Sequence, residues 1–413
     1  MSSNNLFGSG KSKIINDPLH GFIHLSVPGV YDVVQHRFFQ RLRRIRQLGM
    51  SECVYPGATH TRFIHALGAM HLMMESLDVL RQKGVEILEE EYQAAVLGIL
   101  LHDIGHGPFS HTLEYTLVQG VNHEYISERL MEEMNKEFNG ALDLAIAIFK
   151  GKYPQKPFLS QLISGQLDMD RLDYLLRDSF YTGVSEGIVG ADRLIHMLNV
   201  KDGNLVVEEK GIYSVEKFLV ARRLMYWQVY LHKTVIAADN HLVAILQRAR
   251  ELAKMGSALG SYHPLMHFLF KDVVTGDFTQ EDLELFVQLD DIDIMSAIKE
   301  WQFHEDAVLS NLSRRMLQRK MPKIKVALEP VGEAVEQIHK AQASSIFGVG
   351  DNLVHHFVKT GVLENNAYRS DGGGIRILRK NGDVMDVAAA SDNYNLSALK
   401  DTVVKHYITF WES

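Results

Sequence analysis

Apolar positions in this chain recur mainly at helical spacing, and polar residues fill the faces between them. Phe38, Leu42, Ile45 and Leu48 fall three or four residues apart, which predicts an amphipathic helix from Phe38 to Leu48. Its other face carries Gln40, Arg41, Arg43, Arg44 and Arg46, an ordinary solvated face on this pattern. The same spacing predicts helices over Thr61–Leu80, Glu91–Leu101, Asp168–Asp178, Val215–Leu252, 279–300 and 304–320, and a last one from about Leu396 to Tyr407. Asn122 before His123 and Glu124 reads as a capped helix start. Extended pieces are few: Lys13–Leu25 around a turn at Asp17-Pro18 and Gly21, and a hairpin at Gly203-Asn204. Ile375–Val387 predicts another hairpin, closed by a type I′ turn at Asn381-Gly382. The pattern therefore gives a mainly α fold with small β-hairpins near both ends.

One apolar run does more than build a core. Ala94–Leu101 delivers an adjacent His102-Asp103 pair, after which Gly105, Gly107 and Pro108 break the helix and His106 and His111 follow. A neutral imidazole beside a carboxylate suits a divalent metal. Histidines capping a helix end are the plainer alternative, which four ionisable groups in so short a stretch disfavour. In DMDRLDYLLRD, Asp170, Tyr174, Arg177 and Asp178 share a helical face that is costly to bury without a cation. A surface ion-pair ladder through Arg171 and Arg177 is the competing reading there. Arg62 stands one turn before His65 on the same side of its helix.

Composition narrows the classes. The 413 residues are 46% hydrophobic and 23% charged, as in ordinary globular proteins. No apolar run is long enough for a bilayer and no signal-peptide pattern follows Met1, so no membrane partner is expected. The single Cys53 excludes an internal disulfide framework and fits a reducing, cytoplasmic setting. A net charge of −8 argues against broad nucleic-acid binding. Residues 1–12, rich in Ser, Asn and Gly, read as a flexible arm.

The order His65, His102-Asp103, Asp170 on separate helices resembles the HD superfamily of metal-dependent phosphohydrolases. More closely, NDPLHGFIHL, FFQRLRRIRQLG, YPGATHTRFIHALG, LHDIGHGPFSH, DMDRLDYLLRD and RRLMYWQVYLHK are similar to the deoxynucleoside triphosphate triphosphohydrolases. The resemblance covers roughly residues 13–330, leaving 331–413 as a smaller α+β part, for which oligomerisation and simple completion of the core are the two readings. It implies an HD-type helical core and one divalent metal per active site (Mn, Fe, Mg or Zn) on His65, His102, Asp103 and Asp170. It implies that His106 and His111 face the α-phosphate, and that His123, supported by Glu114 and Glu124, is the general acid. Gln47 and Leu48 would pack on the sugar, and Tyr174 and Asp178 would read the 3′-hydroxyl. Arg62, Arg171 and Arg222 would hold the triphosphate, with Tyr230 near the base. The implied reaction turns a deoxynucleoside triphosphate into deoxynucleoside and tripolyphosphate.

Several members of that family are homo-oligomers, dimers or tetramers, activated by nucleotide bound between subunits. The matching positions are Lys13, Asn16, Gln40, Arg43, Arg193, Lys210, His232, Lys233 and Arg315. Where guanine-activated members place an acid, this chain has Gln35, which lacks a carboxylate's charge-assisted bonds to guanine. Two other functions compete. An HD phosphodiesterase or nucleotide phosphatase would not need so many arginines, and a non-catalytic nucleotide-sensing scaffold predicts a broken metal set.

Overall fold

The computed structural model describes residues 12–110, 112–118, 120–260, 262–271, 275–366, 368, 373–392 and 401–412. His111, the N-terminal arm up to residue 11 and the start of the expected last helix lie outside them. The architecture is mainly α, with three small sheets. At its centre, helix Arg62–Gln82 packs between Glu89–Leu101 and Met169–Thr182. Ala94–Leu101 is buried throughout, so this helix is held on all sides. Its start is fixed by Glu91, which accepts from the Leu88 amide at 2.7 Å and also takes Tyr153 and Lys156. After His102 the chain turns sharply, and Gly105 lies flat against the His123 carbonyl and Ser127, where a Cβ would collide.

Several elements depart from their periodicity. The expected Phe38–Leu48 helix is one α-turn, Arg37–Gln40, then a 3₁₀ turn, Arg41–Arg44, and an extended stretch in which Arg46 bridges to Thr61. Its arginine face is not simply solvated: Arg41 is buried and donates to the Ile104 and Leu289 carbonyls, and the Arg46 amide donates to Asp291. Val215–Leu252 is not one helix. Ile212–Met225 runs into a π-turn, Tyr226–Tyr230, and a new helix, Lys233–Lys254, starts with His232 accepting from the Thr234 amide. Likewise 279–300 divides into Gln280–Phe286 and Asp291–Trp301, because Asp290 caps the second. The 304–320 segment is helical over Ala307–Leu317, capped by Asp306.

The expected C-terminal helix is wrong. Val403–Phe410 is the central strand of an antiparallel sheet, between Lys323–Ala327 and Lys359–Asn365. Its β-branched and aromatic residues favour that pleated, half-buried setting over a helix. The expected C-terminal hairpin forms from Arg376–Leu378 and Val384–Asp386, but its turn differs. Gly382 takes φ 89° while Asn381 does not have positive φ, and the Gly382 amide bonds the Arg379 carbonyl at 2.9 Å. That is a type I turn followed by a left-handed glycine, not type I′. The first of these strands pairs in parallel with Asn204–Glu208, itself the partner of Leu198–Lys201. Residues after 330 therefore share both larger sheets with residues before it.

Gly68 marks the tightest contact in the helical core, since a Cβ there would enter the Asp173–Arg177 ion pair. Gly68→Ala is expected to cost about 3 kcal/mol or more by breaking a buried charge network. Gly332→Ala, with open space around it, should be near neutral. Urea unfolding midpoints of the two variants check this.

Candidate active site

Three helix ends converge on one cluster of donors. Helix Arg62–Gln82 carries His65 in its first turn, and helix Glu89–Leu101 ends at His102. Helix Met169–Thr182 is capped by Asp168, which accepts from the Arg171 amide at 2.7 Å, and carries Asp170 in its first turn. His65 Nε2 and His102 Nε2 lie 3.1 and 3.4 Å from the same Asp170 oxygen. Asp103 approaches both imidazoles, at 3.3 Å from His102 and 3.8 Å from His65.

The ring orientations decide what this cluster can hold. His65 Nδ1 is 2.8 Å from buried Asp173, and His102 Nδ1 is 2.6 Å from the Ile99 carbonyl. Each ring therefore keeps its Nδ1 proton on a fixed acceptor and turns the Nε2 lone pair inward, the usual arrangement of metal-binding imidazoles. His102 Nε2 is buried and makes no hydrogen bond. His65, His102 and Asp170 lie close enough together to share a divalent cation such as Mn, Fe, Mg or Zn, while Asp103 groups as closely with His106 and His123. The field agrees. Burial opposes charge on His65, but its bonds to Asp170 and Asp173 outweigh it and raise its pKa to about 10. His102 is raised too, by Asp103 and Asp170 against the effect of burial. For Asp170 burial works upward, yet His102 and His65 hold it well below the usual carboxylate range. The carboxylates that favour positive charge on these rings would equally favour a metal cation in place of the Nε2 protons.

Beside it stand two stacked rings, His106 and His123, with centroids 3.9 Å apart. Burial and the Arg62 guanidinium push His106 well below its ordinary value, so it is a neutral imidazole, 3.2 Å from Asp103. His123 Nδ1 is 2.6 Å from Glu114, whose same oxygen accepts the His123 amide at 2.8 Å. Glu124 is exposed on the next position of the helix and is not part of the cavity wall. Arg62 is buried, pairs with Asp103 and donates to Ser110 at 2.8 Å.

Arg62, Asp103, His106, His123 and Asp170 form one end of a cavity of about 480 Å³. Gln47, Leu48, Arg171, Tyr174, Asp178 and Tyr230 line the rest, so most of the expected substrate residues meet in one place. Asp178 is tied on both oxygens, by His60 at 2.7 Å and by the Tyr230 hydroxyl at 2.8 Å. Arg171 is bound to Asp168 and the Gly165 carbonyl, and Arg222 donates to Gln166 at 3.3 Å just behind it. Arg177 does not line this cavity. It turns away to Asp173 and Asp17, in a buried network rather than a surface ladder. The expected activator residues are dispersed over the single chain: Arg43 donates to Gln40 and lies over Phe63, Arg193 reaches the Lys210 carbonyl, and Arg315 lies over Phe347 and Trp411. Lys13 and Asn16 are on the first strand, and His232 and Lys233 at a helix start.

Sequence reasoning missed Asp173, His60, Tyr226 and Asp239. Asp173 sits three residues after Asp170, a spacing that could have flagged it, whereas His60 carries no such signal. Asp239 faces the cavity, accepts from Thr112 at 2.7 Å, and is pushed up to about 7 by burial.

Comparisons with known proteins agree with this geometry. The HD domain family matches residues 62–178, and the HD associated region matches residues 189–255. The solved structure of a phosphohydrolase from Bacteroides thetaiotaomicron is 51% identical, with TM-score 0.94 over 97% of this chain and 100% of that one. The uncharacterized protein YwfO of Bacillus subtilis is 35% identical over 319 residues, 75% of this chain and 71% of its own length. The deoxynucleoside triphosphate triphosphohydrolase SAMHD1 homolog of Dictyostelium discoideum is 30% identical over 267 residues, 60% of this chain. This chain spans about half the length of that relative, 51%. With the matched segment running from Arg62 to Asp178, across all four candidate ligands, the chain belongs to the HD-domain phosphohydrolases and is similar to their deoxynucleoside triphosphate triphosphohydrolases.

Proposed function

We propose that the chain hydrolyses deoxynucleoside triphosphates to deoxynucleoside and tripolyphosphate. The observation that carries this reading is one cavity joining a metal-type donor cluster, a histidine held by a carboxylate, two guanidinium groups and a Tyr174–Asp178 pair. A divalent cation on His65, His102, Asp103 and Asp170 would supply Lewis acidity at the α-phosphorus. Arg62 and Arg171, with Arg222 behind, offer planar forks to a chain of phosphates, and neutral His106 adds a donor without adding charge. His123, its Nδ1 fixed by Glu114, presents its other nitrogen to donate a proton to the departing oxygen. Asp178, immobilised by His60 and Tyr230, is placed to accept a 3′-hydroxyl, and Leu48 to pack where a ribose 2′-hydroxyl would intrude. The enzyme is read as a cytoplasmic homo-oligomer, with a nucleotide held between subunits by the dispersed basic positions.

Product analysis with each deoxynucleoside triphosphate, alone and in mixtures with Mn²⁺ or Mg²⁺, tests the reading. Tripolyphosphate with deoxynucleoside is the expected outcome. Release of pyrophosphate or orthophosphate would instead point to a phosphodiesterase or phosphatase, and binding without turnover to a scaffold. His123→Ala should lower turnover about 10²–10⁴-fold while leaving nucleotide binding in place. A rate equal to wild type would remove His123 from the chemistry. Asp170→Ala should lose bound metal in an elemental assay of the purified protein, and full occupancy would reject the ligand assignment.

A further inference from the structure

Beside the catalytic cavity lies a second one, of about 610 Å³, in the range of small-molecule sites. Arg171 lines both. The turn at 164–167 lines the second cavity and holds the arginines: the Gly165 carbonyl accepts from Arg171 and the Gln166 side chain from Arg222. The far wall is built by Asn204–Val207 and by Gly373–Arg376.

The charged groups of the lining are all of one sign. Among the described residues that line it, Arg171 and Arg376 are charged and none is acidic. Three amide side chains also face it, and the oxygen of each accepts one hydrogen bond inside the protein. Gln161 Oε1 accepts from the Leu205 amide at 2.8 Å, Asn204 Oδ1 from Gln161 at 2.9 Å, and Gln166 Oε1 from Arg222. An amide has two acceptor sites on oxygen and two donors on nitrogen; Gln161 gives one N–H to Asn204 and Asn204 one to the Asp202 carbonyl at 3.0 Å, so each of the three keeps an acceptor site and at least one N–H to offer. A cavity with two guanidinium groups, amide N–H groups to spare and no carboxylate among its described lining residues suits oxyanions.

We infer that this second cavity is a binding site for a polyphosphate chain, adjoining the phosphate end of the catalytic cavity through Arg171. The shared chemistry is a run of phosphate oxyanions, whose source is either tripolyphosphate leaving the catalytic cavity or inorganic polyphosphate arriving from solution. The first source rests on the proposed reaction, whereas the site itself does not.

The probe is inorganic tripolyphosphate, titrated calorimetrically into the full-length protein without nucleotide. Arg376 is exposed, lies outside the catalytic cavity and can be changed without touching the proposed machinery. Arg376→Ala is expected to keep the melting temperature and the initial turnover rate, and to weaken a tripolyphosphate site at least tenfold. Progress curves then separate the sources. If wild-type curves bend as product accumulates and Arg376→Ala curves stay straight, the occupant is the product. If the curves coincide while the titrations differ, it is free polyphosphate. Superimposable titrations of the two proteins, or no binding to either, overturn the proposal. Absence of dNTP turnover would overturn the reaction proposed above and leave the titration result standing.

Discussion

Asp173 has no exposed surface and is held charged from several sides at once. His65 Nδ1 and Arg177 Nε each reach one of its oxygens at 2.8 Å, and His20 reaches the other at 2.6 Å. Arg177 goes on to Asp17 at 2.8 Å. Burial alone would push this carboxyl up, but Arg177, His20 and His65 drive it well below the usual range. Three parts of the chain are thereby fixed to one point: the N-terminal hairpin through Asp17 and His20, the helix of His65, and the helix of Asp170. Removing one partner from a buried arrangement of this kind costs about 3–5 kcal/mol, because the remaining charge is stranded. Gly68 belongs to the same junction, since only a residue without a side chain lets the network close.

The junction lies directly behind the donor cluster, so stability and chemistry use the same carboxylate. The orientation of His65 is set by Asp173, and the direction of its inner lone pair follows from that. His102 is aimed in the same manner by a backbone carbonyl, and His123 by Glu114. Each imidazole is thus held by a partner outside the cavity, which is how a site keeps its geometry without spending its inward-facing atoms.

What could be read from the chain depended on how local each signal was. His102-Asp103 was legible because an apolar run and three helix breakers bracket it within a few residues. Asp170 was legible from its place in an acid-rich helical face, although Arg177, grouped with it by spacing, lies outside the cavity wall and binds Asp173 and Asp17. Arg41 misled, because an arginine among arginines gives no hint that two distant carbonyls wait for it. The π-turn at Tyr226–Tyr230 left the hydrophobic rhythm nearly unbroken and so concealed a helix boundary. Val403–Phe410 was misread as helix because its partners are strands supplied by two remote segments. His60 could not be found at all, since its meaning lies in Asp178, far along the chain.

The parallel pairing of Asn204–Glu208 with Arg376–Leu378 has a consequence for the order in which the molecule can be made. A ribosome delivers the helical core and the Leu198–Glu208 hairpin long before the strand that completes their sheet. Until then that hairpin presents a bare edge, the kind of surface on which nascent chains mispair. Its two short strands cannot hold themselves flat against water, so the interval is bridged by the neighbouring helices and by Gln161, which fastens both Asn204 and the Leu205 amide. The late strand then closes the edge of the sheet and the wall of the second cavity in one event, which makes that wall among the last parts of the protein to exist.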